Sequence, residues 1–295
     1  MTIPAASQGY QAQLGIDTAS PVTKGYDFAD TASMISQGEI LDPNTSRGTR
    51  SHFASRTRSG LIHVGGQIAL YPSMLDLKPL LPLILGGAAS GGTYPLAETL
   101  PSFSVTIDKV AKVCTYAGCV VNRATFSVTE GQMLKLVLDI VGVSETISDA
   151  GTFPTVTYNE TDPLIFSDAV LAILSTARLV KTWDITIDNS LDVRFFNSQT
   201  ATSITPKDRV ITFHCENPFT SAETDLFDQS PAGAAASLVL TDASNTADVL
   251  SFLFATLQFP TRSPQVPARS EITQQLTAVA RATTAGHELS VTISP

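Results

Sequence analysis

The sequence predicts a mainly β protein with two tandem β-sandwich or barrel-like domains, each carrying a short flanking helix and a long β-hairpin. Three observations predict it. Apolar and polar residues alternate over Cys119 to Val128 and again over Met133 to Val141, the period of half-buried strands. Helix signals are short and sit between strand patterns. The order strand, helix, small-residue loop, strand, long hairpin runs twice along 295 residues, which reads as an internal duplication.

Residues 1–55 lack periodicity and carry turn-formers, Asp42-Pro43-Asn44 and Arg47-Gly48. They read as an N-terminal arm or loop with room for one strand. The first domain, 56–150, opens with Gly60-Leu-Ile-His-Val-Gly-Gly-Gln-Ile-Ala-Leu-Tyr-Pro72, a strand stopped by proline. Ser73 and Asp76 have capping-box spacing for a helix through Leu85. Pro79 and Pro82 argue that this helix starts late. Gly86 to Gly92 reads as a flexible loop. In the hairpin that follows, Thr129 to Gln132 is the turn. Val120, Ala124, Phe126 and Val128 share one face with Leu134, Leu136, Leu138 and Ile140. At about 3.3 Å per residue each ten-residue arm is roughly 33 Å long.

The second domain, 151–295, begins in a linker, 148–163, with Pro154 and Pro163. Leu164 to Leu174 fits helix or strand by periodicity, and the element order favours strand. Trp183 to Asp188 and Arg209 to Cys215 are strand patterns, the latter standing where Leu61 to Tyr71 stands in the first domain. Thr220-Ser-Ala-Glu223 is a second capping box, for a helical stretch through Gln229. Val249 to Phe259 parallels Phe103 to Ile107. Glu271 to Arg281 and Glu288 to Ile293 read as a second alternating hairpin around Ala285-Gly286.

Composition narrows the function classes. Lys and Arg total 18 against 27 Asp and Glu, a net charge of −9, and only 15% of residues are charged. The sign disfavours a basic nucleic-acid binder, and ample apolar content disfavours disorder. Three cysteines in so long a chain do not make a disulfide framework and suit a reducing compartment. Met1 to Ser20 has neither the basic start nor the apolar core of a secretory signal. Leu77 to Ala89 is too short and too interrupted to span a bilayer. Synthesis in a cytosol is therefore expected. A chain with few charges and abundant Ser and Thr needs another protection against association, or it is built to associate.

Catalytic patterns fare poorly. A Gly-x-x-x-x-Gly-Lys run and a Gly-x-Ser-x-Gly elbow are both missing. His214-Cys215-Glu216 has the His-x-Glu of a deaminase without its Pro-Cys-x-x-Cys partner. On a strand His214 and Glu216 share one face and Cys215 is buried opposite. Cys114 and Cys119 lack the further ligands that zinc needs and read as small core residues. No cofactor, metal or catalytic residue is expected. Arg47, Arg50, Arg56 and Arg58 form the one dense basic cluster, either a solvated loop or a contact with an acidic patch on a neighbouring copy.

Several segments together resemble the tail tube proteins of long-tailed, siphovirus-like bacteriophages. They are Gly60 to Leu70, Leu80-Leu-Pro-Leu-Ile-Leu-Gly-Gly87, Phe103 to Asp108, Tyr116 to Arg123, the hairpin Ala124 to Val143, Leu164 to Val170, Trp183 to Leu191 and the ending Leu257 to Ile293. Their order from about Tyr26 onward carries the resemblance. It implies a non-enzymatic virion protein of the phage tail, synthesised in the host bacterial cytoplasm. Its rings would stack helically into a hollow tube through which DNA passes. Long hairpins from neighbouring subunits would join into an inner barrel, which removes their free edges.

Two tube domains per chain imply a homotrimeric ring with pseudo-sixfold symmetry, or a hexamer if one domain alone lines the barrel. The partners implied are further copies of the chain, a tape measure protein in the lumen, tail tip and terminator proteins, and transient, non-specific DNA, with no membrane. A distal tail or tail-terminator ring, and a carbohydrate-binding β-sandwich or enzyme, are the alternatives. The expected lumen face is the polar side of the hairpins: Arg123, Thr125, Ser127, Lys135 and Asp139 in the first, Glu271, Thr273, Gln275, Thr277, Glu288, Ser290 and Thr292 in the second. A wall past which DNA slides should be neutral or acidic. Arg47, Arg50, Arg56 and Arg58 are the expected contacts between rings.

Overall fold

A computed structural model describes residues 7–45, 48–220, 233–242, 245–261, 264, 266–283 and 286–294. Its strands form a large, bent antiparallel sheet folded into layers around one apolar core.

In the first half the strands are β1 (Gln13–Asp17), β2 (Phe28–Leu41), β3 (Arg58–Leu70), β4 (Thr93–Tyr94), β5 (Phe103–Asp108), β6 (Lys112–Thr129), β7 (Lys135–Gly142) and β8 (Ser144–Asp149). The segment expected to be an arm thus carries two strands, β1 paired with β5 and β2 paired with β3. The predicted hairpin is present and longer than its alternating core. It runs from Lys112↔Asp149 to Ser127↔Lys135, with a turn in which the Gln132 N–H donates to the Thr129 carbonyl at 2.9 Å.

This hairpin bends, and the bend makes two layers. The first part of β6 lies between β5 and β8, and the second part lies between β7 and β11 (Thr182–Asp188). Gly118 sits at the bend with φ +65°, where a Cβ would stand 2.8 Å from Val143 Cγ2. A positive φ in so tight a contact requires glycine. The outer layer is β1-β5-β6-β8 and the inner layer is β2-β3-β7-β6.

Helix α1 (Met74–Leu85) packs on the core side. Ser73 caps it: its Oγ accepts from the Asp76 N–H at 3.2 Å, while Asp76 accepts from the Ser73 N–H at 3.0 Å. The helix starts at this cap and not late, so both prolines lie inside it. Seven buried residues, Met74, Leu77, Leu80, Leu81, Leu83, Ile84 and Leu85, hold it to the core. At about 1.5–3 kcal/mol per fully buried side chain, this burial exceeds the cost of two missing N–H groups.

The second half contains β9 (Ala169–Ile173), β10 (Thr176–Arg178), β12 (Leu191–Arg194), β13 (Ser203–Pro206), β14 (Val210–Pro218), β15 (Ala234–Thr241), β16 (Val249–Thr261), β17 (Thr273–Arg281) and β18 (Leu289–Ser294) besides β11. Leu164 to Leu174 resolves as a single 3-10 turn followed by the strand β9. The second capping box and its helical stretch lie, after Thr220, outside the described residues.

The expected pairing of Glu271–Arg281 with Glu288–Ile293 is not formed. β17 pairs with the end of β16 and β18 with its beginning, on the edge opposite β15. The outgoing arm of the second hairpin is therefore β16, and β17 with β18 is the return arm. Val249–Thr261 is the counterpart of β6, and β15 that of β5. Alternation identifies strands and their faces but not their partners. Val291 and Ile293 bury opposite Phe252 and Leu250, which fixes β18 to β16.

With that correction the pairing pattern recurs. Val120 faces Val141 and Gln258 faces Val279, so both ends of the two hairpins differ by 138 in number (258 − 120, 279 − 141). Both outgoing strands break register at the same place, between Val121 and Arg123 and between Gln258 and Thr261. The halves are joined by β11, which pairs with β6 on one edge and β14 on the other. The inner layer is thus continuous: β2-β3-β7-β6-β11-β14-β17-β16. The core is continuous too, with Phe126 of the first half edge-on to Phe252 of the second at 5.3 Å.

Candidate functional site

The inner layer has two unlike faces. One carries Ala124, Phe126, Val128, Leu134, Leu136, Leu138, Ile140, Trp183, Ile185, Ile187, Phe213, Cys215, Leu276 and Ala278, all buried. The other carries the side chains between them, mostly polar, and no described element covers its centre. This second face is the candidate site.

Cross-strand rows run over it. Gln67, Asp139, Arg123 and Asp188 are successive partners across β3, β7, β6 and β11. Thr125, Thr186 and Thr212 form the next row, and Ser127, Asp184, His214 and Thr277 the one after. Arg123 donates to Asp188 Oδ2 from Nε at 3.1 Å and from a terminal nitrogen at 2.8 Å. Thr125 and Thr186 share a hydroxyl hydrogen bond at 3.1 Å. Gln67 Nε2 donates to Asp139 Oδ1 at 2.9 Å. His214 Nδ1 lies 3.5 Å from Asp184 Oδ1.

The electrostatics follow. The hydrogen bond to Asp188 pushes the Arg123 guanidinium further toward its charged form. Burial pushes the Asp188 carboxyl up, but the hydrogen bonds from Arg123 and Ser190 outweigh it and hold the group below the usual carboxylate range. Asp184 goes the other way, raised by burial with a smaller opposing effect of His214. Arg123 is therefore occupied by one acid and faces a second, Asp139, across the sheet.

The structure brings together Arg123, Thr125, Ser127, Lys135, Asp139, Thr273, Gln275 and Thr277, all on this face of one sheet. Thr273, Gln275 and Thr277 alternate with the buried Gln274, Leu276 and Ala278. Glu271 lies just before β17 and pairs with Lys181. Glu288, Ser290 and Thr292 are elsewhere: Ser290 and Thr292 sit on β18 beside the first part of β16, and Glu288 accepts from Arg209 at 3.4 Å. Arg50 and Arg56 are exposed between β2 and β3, Arg58 is the exposed first residue of β3, and Arg47 lies outside the described residues.

Sequence reasoning missed Gln67, Asp184, Thr186, Asp188, Thr212, His214 and Glu216 as members of this face. The signal was the strict alternation in Trp183–Asp188 and Val210–Glu216, which places His214 and Glu216 on one side and Cys215, fully buried, on the other. Their joining to β6 is a long-range pairing that no local pattern encodes.

Among the described residues no group of His, Cys, Asp and Glu is arranged to hold a metal ion. No described helix is long and apolar enough to cross a membrane.

A long bent hairpin, repeated, with one face buried and a broad polar face on the other, defines a mainly β protein built around one layered antiparallel sheet. The family model for the phage tail tube protein matches residues 8–280. The chain belongs to that family and is a structural component of a phage tail. No curated protein sequence matches it significantly.

Proposed function

We propose that this chain is the major tail tube subunit. Three copies close into a ring whose inner wall is the polar face, and rings stack helically into the conduit for DNA. The observation that carries this reading is the inner layer: eight strands in unbroken order, with β2 without a partner on its outer edge and β16 without one past Leu257 on the edge that β15 covers up to there. Among the described residues nothing pairs with the outer edge of β2, and residues 258–261 of β16 pair only with β17. An unpaired edge on so long a strand is a template for another chain.

Size supports several copies. Eight strands closed on themselves would leave an interior just filled by side chains. Three copies give about 24 strands, and at about 4.8 Å per strand with a tilt of about 35–45° the backbone cylinder is roughly 45–50 Å across. With about 5 Å of side chain on each side, the opening admits a DNA duplex. A hexamer follows only if one half of the inner layer stays out of the wall.

The wall chemistry suits passage without sticking. Asp139, Asp184, Asp188 and Glu216 outnumber Arg123, Lys135 and Arg281, and Arg123 is already held by Asp188. A guanidinium so occupied offers little to a phosphate. In this reading the tape measure protein fills the lumen before ejection, and tip and terminator proteins cap the two ends.

Electron microscopy of negatively stained purified protein tests the proposal, together with its mass in solution. Hollow tubes or stackable rings are expected. A species that stays monomeric even with the phage's tail initiator proteins overturns it.

A further inference from the structure

We infer that residues 37–40 of β2 are the surface by which one copy of this chain grips the next, and that the grip falls on the register break at residues 258–261 of β16. The inference rests on the ring reading and names its joint.

The precedent lies inside the chain. Where β11 meets β6, Asp188 stands opposite Arg123. The register break in β6 then turns Asn122 outward, and the chain leaving β11 fastens to it. The Asn189 N–H donates to the Asn122 carbonyl at 2.8 Å, and the Leu191 N–H donates to Asn122 Oδ1 at 2.9 Å. The Asn189 side chain, buried, donates onward to the Val121 carbonyl at 3.1 Å and the Ile84 carbonyl at 3.3 Å.

The backbone part of that fastening, one N–H and one carbonyl, recurs without a strand partner among the described residues, while the two asparagine side chains do not. In β16 the same break leaves Pro260 at the place of Asn122, with its carbonyl retained. On the other side, β2 stands in the place of β11 and β12. Gln37 pairs with His63 and Ile40 with Ser59, while Asp188 pairs with Val210 and Leu191 with Pro206. Each pair of counterparts differs by the same 151 on the outgoing strand (188 − 37, 191 − 40) and by 147 on the return strand (210 − 63, 206 − 59). Gln37, Gly38 and Ile40 therefore occupy the positions of Asp188, Asn189 and Leu191. Placed in the same register, Gln37 of one copy faces Thr261 of the next, and the Gly38 N–H meets the Pro260 carbonyl.

Exposure agrees. Leu191 is half-buried in its internal joint, whereas Ile40 is 77% exposed and Ile35 and Leu41 are 57% and 56% exposed on the same strand. Apolar residues gathered on an unpaired edge mark a contact face. A second copy of this chain is the occupant, because the rest of the joint is already present on its β16.

Two consequences follow. The internal joint carries an ion pair, but the joint between copies pairs Gln37 with Thr261, so this strand pairing adds no ion pair of its own and any salt dependence of ring closure falls on the charged ribbon beside it. The ribbon beyond residue 38 should also lie along the neighbour within the same ring. Its counterpart does so inside the chain, where the Gln199 carbonyl accepts from the Ile62 N–H at 2.7 Å and Phe195 packs edge-on to His63. Arg50, Arg56 and Arg58 then sit at the seam between copies of one ring, and not between stacked rings.

The test uses the full chain. Ile40→Asp should melt within a few degrees of the wild type, since Ile40 is mostly exposed. It should raise the concentration needed for ring formation about tenfold or more, the loss expected from one buried isoleucine. A Gln37→Cys/Thr261→Cys variant, treated as assembled rings with a short bismaleimide, should give covalent dimers and trimers on a denaturing gel; the three native cysteines are buried. Wild-type rings together with an unaffected Ile40→Asp and no intermolecular cross-link would overturn this joint while leaving the ring reading intact. Ile40→Asp rings that form normally but fail to stack would also overturn it, by assigning the ribbon to the contact between rings. Absence of rings in the wild type would overturn both.

Discussion

Two corresponding strand edges, that of β11 inside the inner layer and that of β2 at its end, are built alike and finished differently. At the β6–β11 joint the edge is covered: seven residues pair in register from Thr182↔Thr129 to Asp188↔Arg123, a charge pair closes one end, and Phe126 reaches across to Phe252 beneath. At β2 the corresponding edge has no strand partner among the described residues, and the exposed Ile35 and Ile40 stand where the covered edge has Thr186 and Leu191. One sequence element thus appears once as an internal joint and once as an unfilled copy of it. The internal joint is the template from which the external one can be read.

The comparison breaks most severely at the aromatic contact under the internal joint. Phe126→Ala removes a fully buried ring that spans both halves, and should cost about 3–5 kcal/mol in equilibrium denaturation. A loss below about 1 kcal/mol would show that the halves do not share a core.

Asn189→Ala leaves the Val121 and Ile84 carbonyls without their donor in a buried site. About 1–3 kcal/mol should be lost. Gly38→Ala, at the corresponding place on the bare edge where a Cβ meets nothing, should shift stability by a few tenths of a kcal/mol in urea titrations. Equal costs at the two positions would contradict the contrast.

A third variant concerns acid. Asp188 and Asp17 are both held below the usual carboxylate range, by hydrogen bonds that outweigh burial. Their stabilisation is present above the unfolded carboxylate pKa of about 4 and is lost as pH falls through the lowered folded values. Urea midpoints should therefore hold steady from neutral pH down to about 5 and drop below about 4. In Asp188→Asn the drop should be smaller, and an unchanged acid limb would remove Asp188 from the account.

A similarly small effect is expected from Arg123→Ala. Its side chain is 48% exposed and that of Asp188 24% exposed, so the pair is largely screened and worth about 0.5 kcal/mol. The informative readout is DNA retention by tubes at low salt. Removing Asp188 and freeing Arg123 should slow DNA release, and removing Arg123 should not.

Much of this was legible in the sequence. Period-two alternation located β6, β7, β14 and β17 and assigned their buried and polar faces, because a strand that is half buried must alternate. The Ser73–Asp76 spacing offered the cap that the structure uses, since a capping box satisfies backbone groups within a few residues, although the start itself was expected later. What failed was partner choice. Glu271–Arg281 and Glu288–Ile293 alternate as cleanly as a hairpin, yet they lie end to end along β16. The hydrogen bonds that decide this link residues distant in sequence. The polar-face residues on β11 and β14 were missed for the same reason, and Glu288, Ser290 and Thr292 were grouped with a face they do not join. The prolines of α1 misled in the opposite sense: local propensity argued for a late start to a helix that the core holds from its cap onward.

The most direct test of the central claim is the mass of the smallest closed ring, measured by native mass spectrometry on tubes disassembled under mild conditions. The account predicts three copies of the 31.2 kDa chain, each contributing both halves of its inner layer to the wall. A ring of six copies, or a chain that never closes into a ring, would contradict it.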